Sequence, residues 1–451
     1  LIVCNDLKGW IAELYNCLAS PVQRLEPIEN ADRLEVAIIC DTQVVVGKGT
    51  FVVGQTVLFF PTDGQLSAEY AKANDLIARV DEQGNRAGGY FEENRRVRAQ
   101  NFRGVRSYGY AAPIESVAFT GINLDVLTPG TSFTELNNVP ICNKYVTAAT
   151  RRAIAARTGK VQRGETNMFK KHYDTPQLKH TLSSVPPSRE VILTEKIHGT
   201  SQRTGYVLDE VEYPLNFVSR IKNIGRNLRD FVTRTKSNPP TRKEWTYLNG
   251  TRNVIINDRT EGQGFYGDSE GFRQEVAANF QHKLRKGETV FYEIVGFAAP
   301  GKPIMGRVGT EKLKDKAISK QYGKEMTYTY GCRDNGTGKL FDVYVYRITM
   351  TNEDGDSIDL AWDEVKHRCQ ELNVKAVPEL ARFWYDGDKE QLLANIEPFV
   401  DGPSTLDNTH IREGVCVRVG NNVYKHKSFP FLVLEGVAKE KDDYVDAEEI
   451  A

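Results

Sequence analysis

The 451 residues contain no uninterrupted apolar run near the length of a membrane span, so the sequence carries no candidate transmembrane helix. The N-terminal stretch "LIVCNDLKGW" lacks the basic-then-apolar order of a secretory leader. Because its first residue is not methionine, the chain is expected to be trimmed or processed. The seven cysteines are scattered and never spaced as CxxC, which argues against a zinc site or a disulfide framework. A reducing, intracellular setting is the expectation, with no membrane partner and no protein partner evident. Net charge is also lacking, at −1, which by itself argues against a nucleic-acid partner.

That mean hides an asymmetry. From Arg220 to Lys243 there are eight basic residues against one acid, Asp230. A second basic stretch runs from Arg151 to Lys171. A third, "ENRRVRAQNFRGVRSYGY" at 93–110, interleaves arginine with Tyr and Phe, while the C-terminus "KEKDDYVDAEEIA" is acidic. Basic clusters with aromatics suit a groove that tracks a polyanion, although a single such cluster is more often a solvated face. Arg103, Arg106 and Arg226 are candidate polyanion contacts on this basis.

The first third of the chain reads as short β-strands, "RLEVAII", "QVVVGKGTFVVG" and "TVLFFP" among them, parted by turn residues. This pattern predicts a small barrel or sandwich. Residues 146–190 read as a basic helical segment and a linker with paired prolines. β-like runs return from 191 together with helical stretches, one of which sets Phe272, Val276, Phe280 and Leu284 along one face. The expected fold class is α+β with antiparallel sheets.

Within this second half, "LTEKIHGTSQ" (193–202) ends an apolar run in a lysine, a histidine and small turn residues. It is either a strand and its turn or a nucleophile at the mouth of a nucleotide pocket. Four further stretches bear on the choice: "VFYEIVGF" with Glu293, "LFDVYVYRI" with Tyr344 and Tyr346, "IREGVCVRV" with Glu413, and "NVYKHKS" with Lys425 and Lys427. Residues two apart on a strand face the same way, so the last two lysines share a surface. An aromatic can stack on a purine, carboxylates can hold a ribose hydroxyl or a hard metal ion, and lysines can neutralise phosphate. Singly, each is as readily a surface lysine, a strand-edge carboxylate or core packing. His198 is either a hydrogen-bonded core histidine or a nucleotide contact.

The ordered series resembles the motifs of covalent nucleotidyltransferases, the superfamily of ATP-dependent polynucleotide ligases and RNA capping enzymes. "EKIHGTS" is similar to its lysine motif, usually Lys-x-Asp-Gly, in the His-containing form familiar from the RNA-sealing branch. The N-terminal segments "LEPIENADRLEVAII", "VVVGKGTFVVGQTVLFFPTDGQLS" and "RRVRAQNFRGVRSYGYAAPI" resemble the OB-fold domain that precedes the ligase domain in one group of RNA ligases. Only the short acidic tail follows the last motif, which favours RNA ligase over DNA ligase or guanylyltransferase. The implied organisation is an OB-fold β-barrel at 1–145, a linker at 146–190, an ATP-grasp-like adenylyltransferase domain at 191–436 and a tail at 437–451.

The resemblance also implies roles. Lys196 attacks the α-phosphate of ATP, flanked by Glu195 and Ile197 at the nucleotide. Glu293 holds the ribose, and Glu413 holds Mg2+ or Mn2+. Tyr346 stacks on adenine, with Tyr344 as the fallback, and Lys425 and Lys427 offset phosphate charge. Arg220 contacts phosphate, and Ser201 lies near the RNA end. Arg347 stands where some relatives carry Asp. The lysine must be neutral to attack, so its pKa is expected to fall through burial and nearby cations. The implied substrates are ATP and RNA, as nicked duplex or single-stranded ends. The competing readings are another nucleotidyltransferase and a non-catalytic RNA-binding protein on the same fold.

Overall fold

The computed structural model describes residues 15–29, 31–62, 64–80, 86–145, 164–173, 175–212, 241–258, 269, 271–313 and 316–439. Arg220 and Arg226, most of their basic cluster, the helical stretch after residue 145 and the acidic tail from residue 440 lie outside these residues.

The Val-, Ile- and Phe-rich runs of the first third form antiparallel strands, as their β-branched and aromatic side chains favour. Cys17–Pro27 is central, between Leu34–Ile39 and Thr56–Pro61; Thr42–Gly47 adds beyond the former and Gly109–Pro113 beyond the latter. The two outer ends meet, because Tyr108 N donates to Gln43 O at 2.9 Å and Gln43 Nε2 donates to Arg106 O at 2.6 Å. The five strands thereby close into a ring. Alternate residues point inward, and Val22, Ala37, Ile39, Val44, Val46, Val57 and Phe59 fill its interior.

The second half is built on two antiparallel sheets. One runs in the order Glu379–Tyr385, Arg189–Glu195, Gly414–Val419, Asn422–Lys427. The larger runs Thr241–Thr251, Thr200–Glu212, Glu288–Ala299, Phe341–Thr351, Ser357–Asp359, and Lys375–Ala376 joins the fourth of these strands in parallel. The chain crosses from one sheet to the other through residues 196–199. The helix expected around Phe272 spans only Gly271–Ala278, because Asn279, Phe280 and Gln281 bond three residues back rather than four. Phe272, Val276, Phe280 and Leu284 are nonetheless all buried in the core of the larger sheet.

The two halves are joined by the hairpin of Ala99–Phe102 and Val105–Ser107. Ala438–Lys439 pairs in parallel with Ala99–Phe102, Arg96 Nη1 donates to Gly436 O at 2.9 Å, and the Arg106 guanidinium lies 4.2 Å from the centre of the Phe429 ring. Residues expected to open the tail thus form a strand against the N-terminal half. Among the described residues no helix is long and apolar enough to cross a membrane.

Candidate active site

The strand Arg189–Glu195 ends one residue before Lys196, whose backbone N–H still bonds Gly414 O at 3.0 Å. Ile197 then buries itself in the core, and His198–Gly199 turns the chain into Thr200–Glu212. Gly199 is required there. A Cβ would stand 2.4 Å from Ile294 O and 2.9 Å from Glu293 Cγ, so only glycine lets the crossover lie on the strand that carries Glu293. Across this contact Ser201 pairs with Glu293.

A second glycine sets the opposing carboxylate. Gly414 adopts a φ of +139°, and a Cβ on it would meet His426 O at 2.3 Å and Lys427 Cα at 2.7 Å. This close pairing places Glu413 beside Lys427. Lys196 Nζ and Lys427 Nζ reach the same oxygen, Glu413 Oε1, at 2.9 and 2.8 Å. His198 Nδ1 lies 3.5 Å from Glu413 Oε2, and its Nε2 lies 3.6 Å from Glu435 Oε1. Three chain segments, at 196–198, 413 and 427, thus meet at one buried carboxylate.

The two site carboxylates are driven in opposite directions. Burial works against the charge of Glu413, but Lys196, Lys427 and His198 overcome it and hold the carboxyl well below its usual range. Burial pushes Glu293 up to about 7, with Lys196 opposing and Glu413 adding to the rise. Lys196 departs from expectation. Burial alone would lower its pKa, yet the charge of Glu413 beside it wins and holds the amine above its ordinary value, as an ammonium. The cation expected to depress it, Lys427, is instead bonded to the same carboxylate.

A cavity of about 180 Å³ opens beside Lys196, lined by Glu293, Ser201, Arg252, Tyr346 and Cys416 among others. Tyr346 and Arg347 both face it while Tyr344 does not, because a bulge opposite Phe291 and Tyr292 interrupts the two-residue alternation. Tyr346 OH is 2.7 Å from Ser201 Oγ, and its ring meets His172 edge-on at 5.4 Å. Tyr344 is buried instead, with Lys375 Nζ 5.3 Å from its ring centre.

The remaining expected residues fall in different places. Glu195 is adjacent to Lys196, but its carboxylate accepts from Ser404 Oγ at 2.5 Å and from Thr405 N and Oγ1 at 2.9 and 2.5 Å, so it anchors a loop. Lys425 shares the face of Lys427 and pairs with Cys416, while its N–H bonds Pro176 O at 2.8 Å. His198 does not line the cavity; its N–H donates to Tyr330 OH at 2.7 Å and its ring packs edge-on against Tyr328 and Phe431. Arg103 is exposed at the tip of the hairpin, far in sequence from the cleft, and Arg106 is spent on Phe429.

Several cavity residues escaped the sequence reading. Arg418 lies in "IREGVCVRV", two residues after Cys416 and therefore on the same strand face; that alternation was the available signal. Asp359, Leu360, Trp362 and Val377 come from the stretch 349–410 and form one wall of the cavity. No local periodicity marks them, because they reach the site through long-range packing.

A model of the RNA ligase family matches residues 189–431, more than half of the chain. No curated protein matches. Among solved structures, a variant of Naegleria gruberi RNA ligase with ATP and Mn is similar at 17% identity and a TM-score of 0.57, over 93% of this chain and 99% of that one. Another variant, with AMP and Mn, is 16% identical with a TM-score of 0.57, over 92% and 97%. The same ligase with PPi gives 16%, 0.53, and the same coverage of 92% and 97%. At such identities the likeness is one of fold.

Proposed function

The chain belongs to the RNA ligase family, and on that premise we propose that it is an ATP-dependent RNA ligase that works through a covalent lysyl-AMP, with Lys196 as the nucleophile. The observation that carries the reading is the convergence of Lys196 and Lys427 on Glu413, with Lys196 lining a cavity that Glu293 and Tyr346 line as well.

In the first step Lys196 Nζ gives up its proton and attacks the α-phosphorus of ATP. A P–N bond forms, the bond to the β-phosphate oxygen breaks, and pyrophosphate leaves. AMP then passes to an RNA 5′-phosphate, and a 3′-hydroxyl displaces it to seal the strand. Lys427 offsets charge on the α-phosphate. Glu293 takes the ribose, and Tyr346, fixed at its hydroxyl by Ser201, stacks on the base. Arg220, in the basic stretch, is assigned to phosphate. The second lysine of the pair, Lys425, adds to the positive field from the same strand face.

The donor set fits a divalent ion of the Mg2+ or Mn2+ type. Among the described residues no group of three or more His, Cys, Asp or Glu could hold a metal alone, so Glu413 would share it with substrate phosphates, as such ions favour. Its chemistry would be to neutralise phosphate oxygens. Glu413 cannot serve a divalent ion and hold Lys196 as an ammonium to the same extent. Once its charge is engaged elsewhere, burial is left to lower the lysine pKa toward the neutral, attacking form.

The N-terminal ring is read as an OB fold: strands one to five in chain order close as 1-2-3-5-4, a five-stranded barrel of the kind that binds oligonucleotides. It lies within the expected 1–145 segment and is assigned to gripping RNA, with Arg103 among the exposed cations of that segment. The boundaries 146–190, 191–436 and 437–451 complete the proposed organisation, and an intracellular setting follows from the cysteine pattern.

The test is incubation of the purified protein with α-labelled ATP and Mg2+ or Mn2+, then nicked or single-stranded RNA. The expected result is an acid-labile AMP adduct, lost in Lys196→Ala, and sealing of 3′-hydroxyl to 5′-phosphate ends. A wild type that labels with GTP alone overturns the ligase reading, and an adduct that persists in Lys196→Ala moves the nucleophile elsewhere.

A further inference from the structure

The end of the cavity remote from Lys196 carries groups that the chemistry above does not use. Arg418 pairs with Ile192 on the strand where Val415 pairs with Glu195, three residues nearer the nucleophile. At strand rise that is roughly 10 Å along the floor of the site. The Arg418 guanidinium lies 4.2 Å from the Trp362 ring centre, with Nε donating to Thr194 Oγ1 at 3.2 Å and Nη2 to Tyr346 O at 2.8 Å. Among the described residues no carboxylate pairs with it.

Asp359 lines the same end and is gripped by Arg347, whose Nε and Nη2 donate to its two oxygens. Arg347 is itself clamped between the rings of Tyr173 and Phe291, at 4.2 and 4.7 Å. A fixed donor and a fixed acceptor therefore share one aromatic-walled end of the cavity. Such a pair suits the edge of a flat heterocycle; a phosphate there would be repelled by Asp359.

We propose that Asp359 and Arg418 read the edge of the nucleobase, Asp359 accepting from an exocyclic amine and Arg418 donating to a neighbouring ring nitrogen, so that this site selects adenine over guanine. The inference rests on Lys196 being the nucleophile, which places the phosphate at the opposite end. Adenine presents the amine N6 beside the acceptor N7, whereas guanine presents O6 beside N7, two acceptors. The guanine oxygen would face the Asp359 carboxylate and leave both without a proton to share. Arg347 touches no base in this arrangement; it is a positioning residue that holds Asp359 in place.

The experiment compares Asp359→Asn, which replaces one of the two acceptor oxygens by an N–H donor at constant shape, with wild type. Rates of adduct formation are read with α-labelled ATP and GTP, and AMP and GMP binding is measured by calorimetry in a Lys196→Ala background. The expected result is a fall in ATP-over-GTP preference of about 100-fold, on the scale of a hydrogen-bonded site confronted with the wrong edge, with a parallel fall in AMP-over-GMP affinity. A preference unchanged within about twofold on that scale overturns the proposal. If Asp359→Asn does not fold, Arg418→Met is read in the same two assays, and retention of the full preference there overturns it equally. The calorimetry separates the two ideas: no wild-type adduct with ATP defeats the nucleophile, while an unaltered AMP-over-GMP ratio defeats the base reading.

Discussion

Two basic regions of this molecule end in opposite uses. In the N-terminal stretch 93–110 three arginines are absorbed by neutral partners, Arg95 donating to Leu66 O, Arg96 donating to Gly436 O while lying over Tyr145 and Arg106 stacking on Phe429, and Arg98 meets the Glu92 carboxylate at 3.2 Å. In the cleft, Lys196 and Lys427 converge on one carboxylate that is almost wholly buried. Carbonyls and ring faces satisfy a cation without setting up a charge that another group could compete for. A buried carboxylate shared by two ammoniums does set one up, because any cation that engages Glu413 changes the state of Lys196. The first arrangement is glue, and the second can switch.

The comparison breaks most sharply at Glu413. In Glu413→Gln two ammoniums and His198 face one another without their anion, and removal of one partner from a buried ion pair typically costs about 3 kcal/mol or more. Adduct formation is expected to fall by at least about 100-fold, the scale of losing a site electrostatic group, and urea unfolding should show the stability loss. The lysine amine is expected to titrate lower in this variant, because the largest charge opposing burial is then gone. A Gln variant that keeps wild-type labelling would place the decisive carboxylate elsewhere.

The same contrast shows what the sequence could convey. The strands around Lys196, Glu293 and Glu413 were legible because each of these residues lies in a strand or directly at its end, where alternation and neighbouring glycines are local properties. The placement of Tyr346 rather than Tyr344 at the cavity depended on a bulge, which one strand cannot reveal without its partner. The charge state of Lys196 depended on the 2.9 Å separation from Glu413, two residues 217 positions apart in the chain. The arginine-rich hairpin was read as a polyanion surface because composition does not say which cations already have partners. Trp362 and Asp359 were invisible for a related reason: their contribution is a matter of which sheet they pack against.

Between the two regions sits His180, a group that sharpens the comparison because it carries no charge. Its Nδ1 is 2.8 Å from Thr42 Oγ1 of the ring, and burial, then Lys179 and Lys425, pull its pKa down to about 4. Above about pH 6.5 it is neutral in folded and unfolded chains alike. From there down to about 4 the unfolded chain takes up a proton that the folded one refuses, so stability falls with pH and levels off below. The loss should amount to about 2 kcal/mol after allowance for partial solvent access, seen as a falling melting temperature. In His180→Gln that part of the acid slope should vanish; an unchanged slope would assign it to other groups.

The smallest expected effect lies in the hairpin itself. Arg106→Ala removes a guanidinium from the face of Phe429, a contact worth about 0.5–1 kcal/mol at a partly exposed site. Its backbone carbonyl, which accepts from Gln43, is untouched, so the closure of the ring survives. Adduct formation should therefore stay within about twofold of wild type, since no group bonded to Glu413 is altered and a loss below 1 kcal/mol is a small fraction of domain stability. The informative quantity is the ratio of sealing to labelling. If Arg106 serves only to dock the hairpin, sealing and labelling fall together by the same small factor. If it also touches RNA, sealing falls alone and more steeply as salt is raised, because a phosphate contact contributes to the salt dependence of binding. The first outcome keeps the two basic regions distinct, and the second would return part of the hairpin to the polyanion surface that its composition suggested.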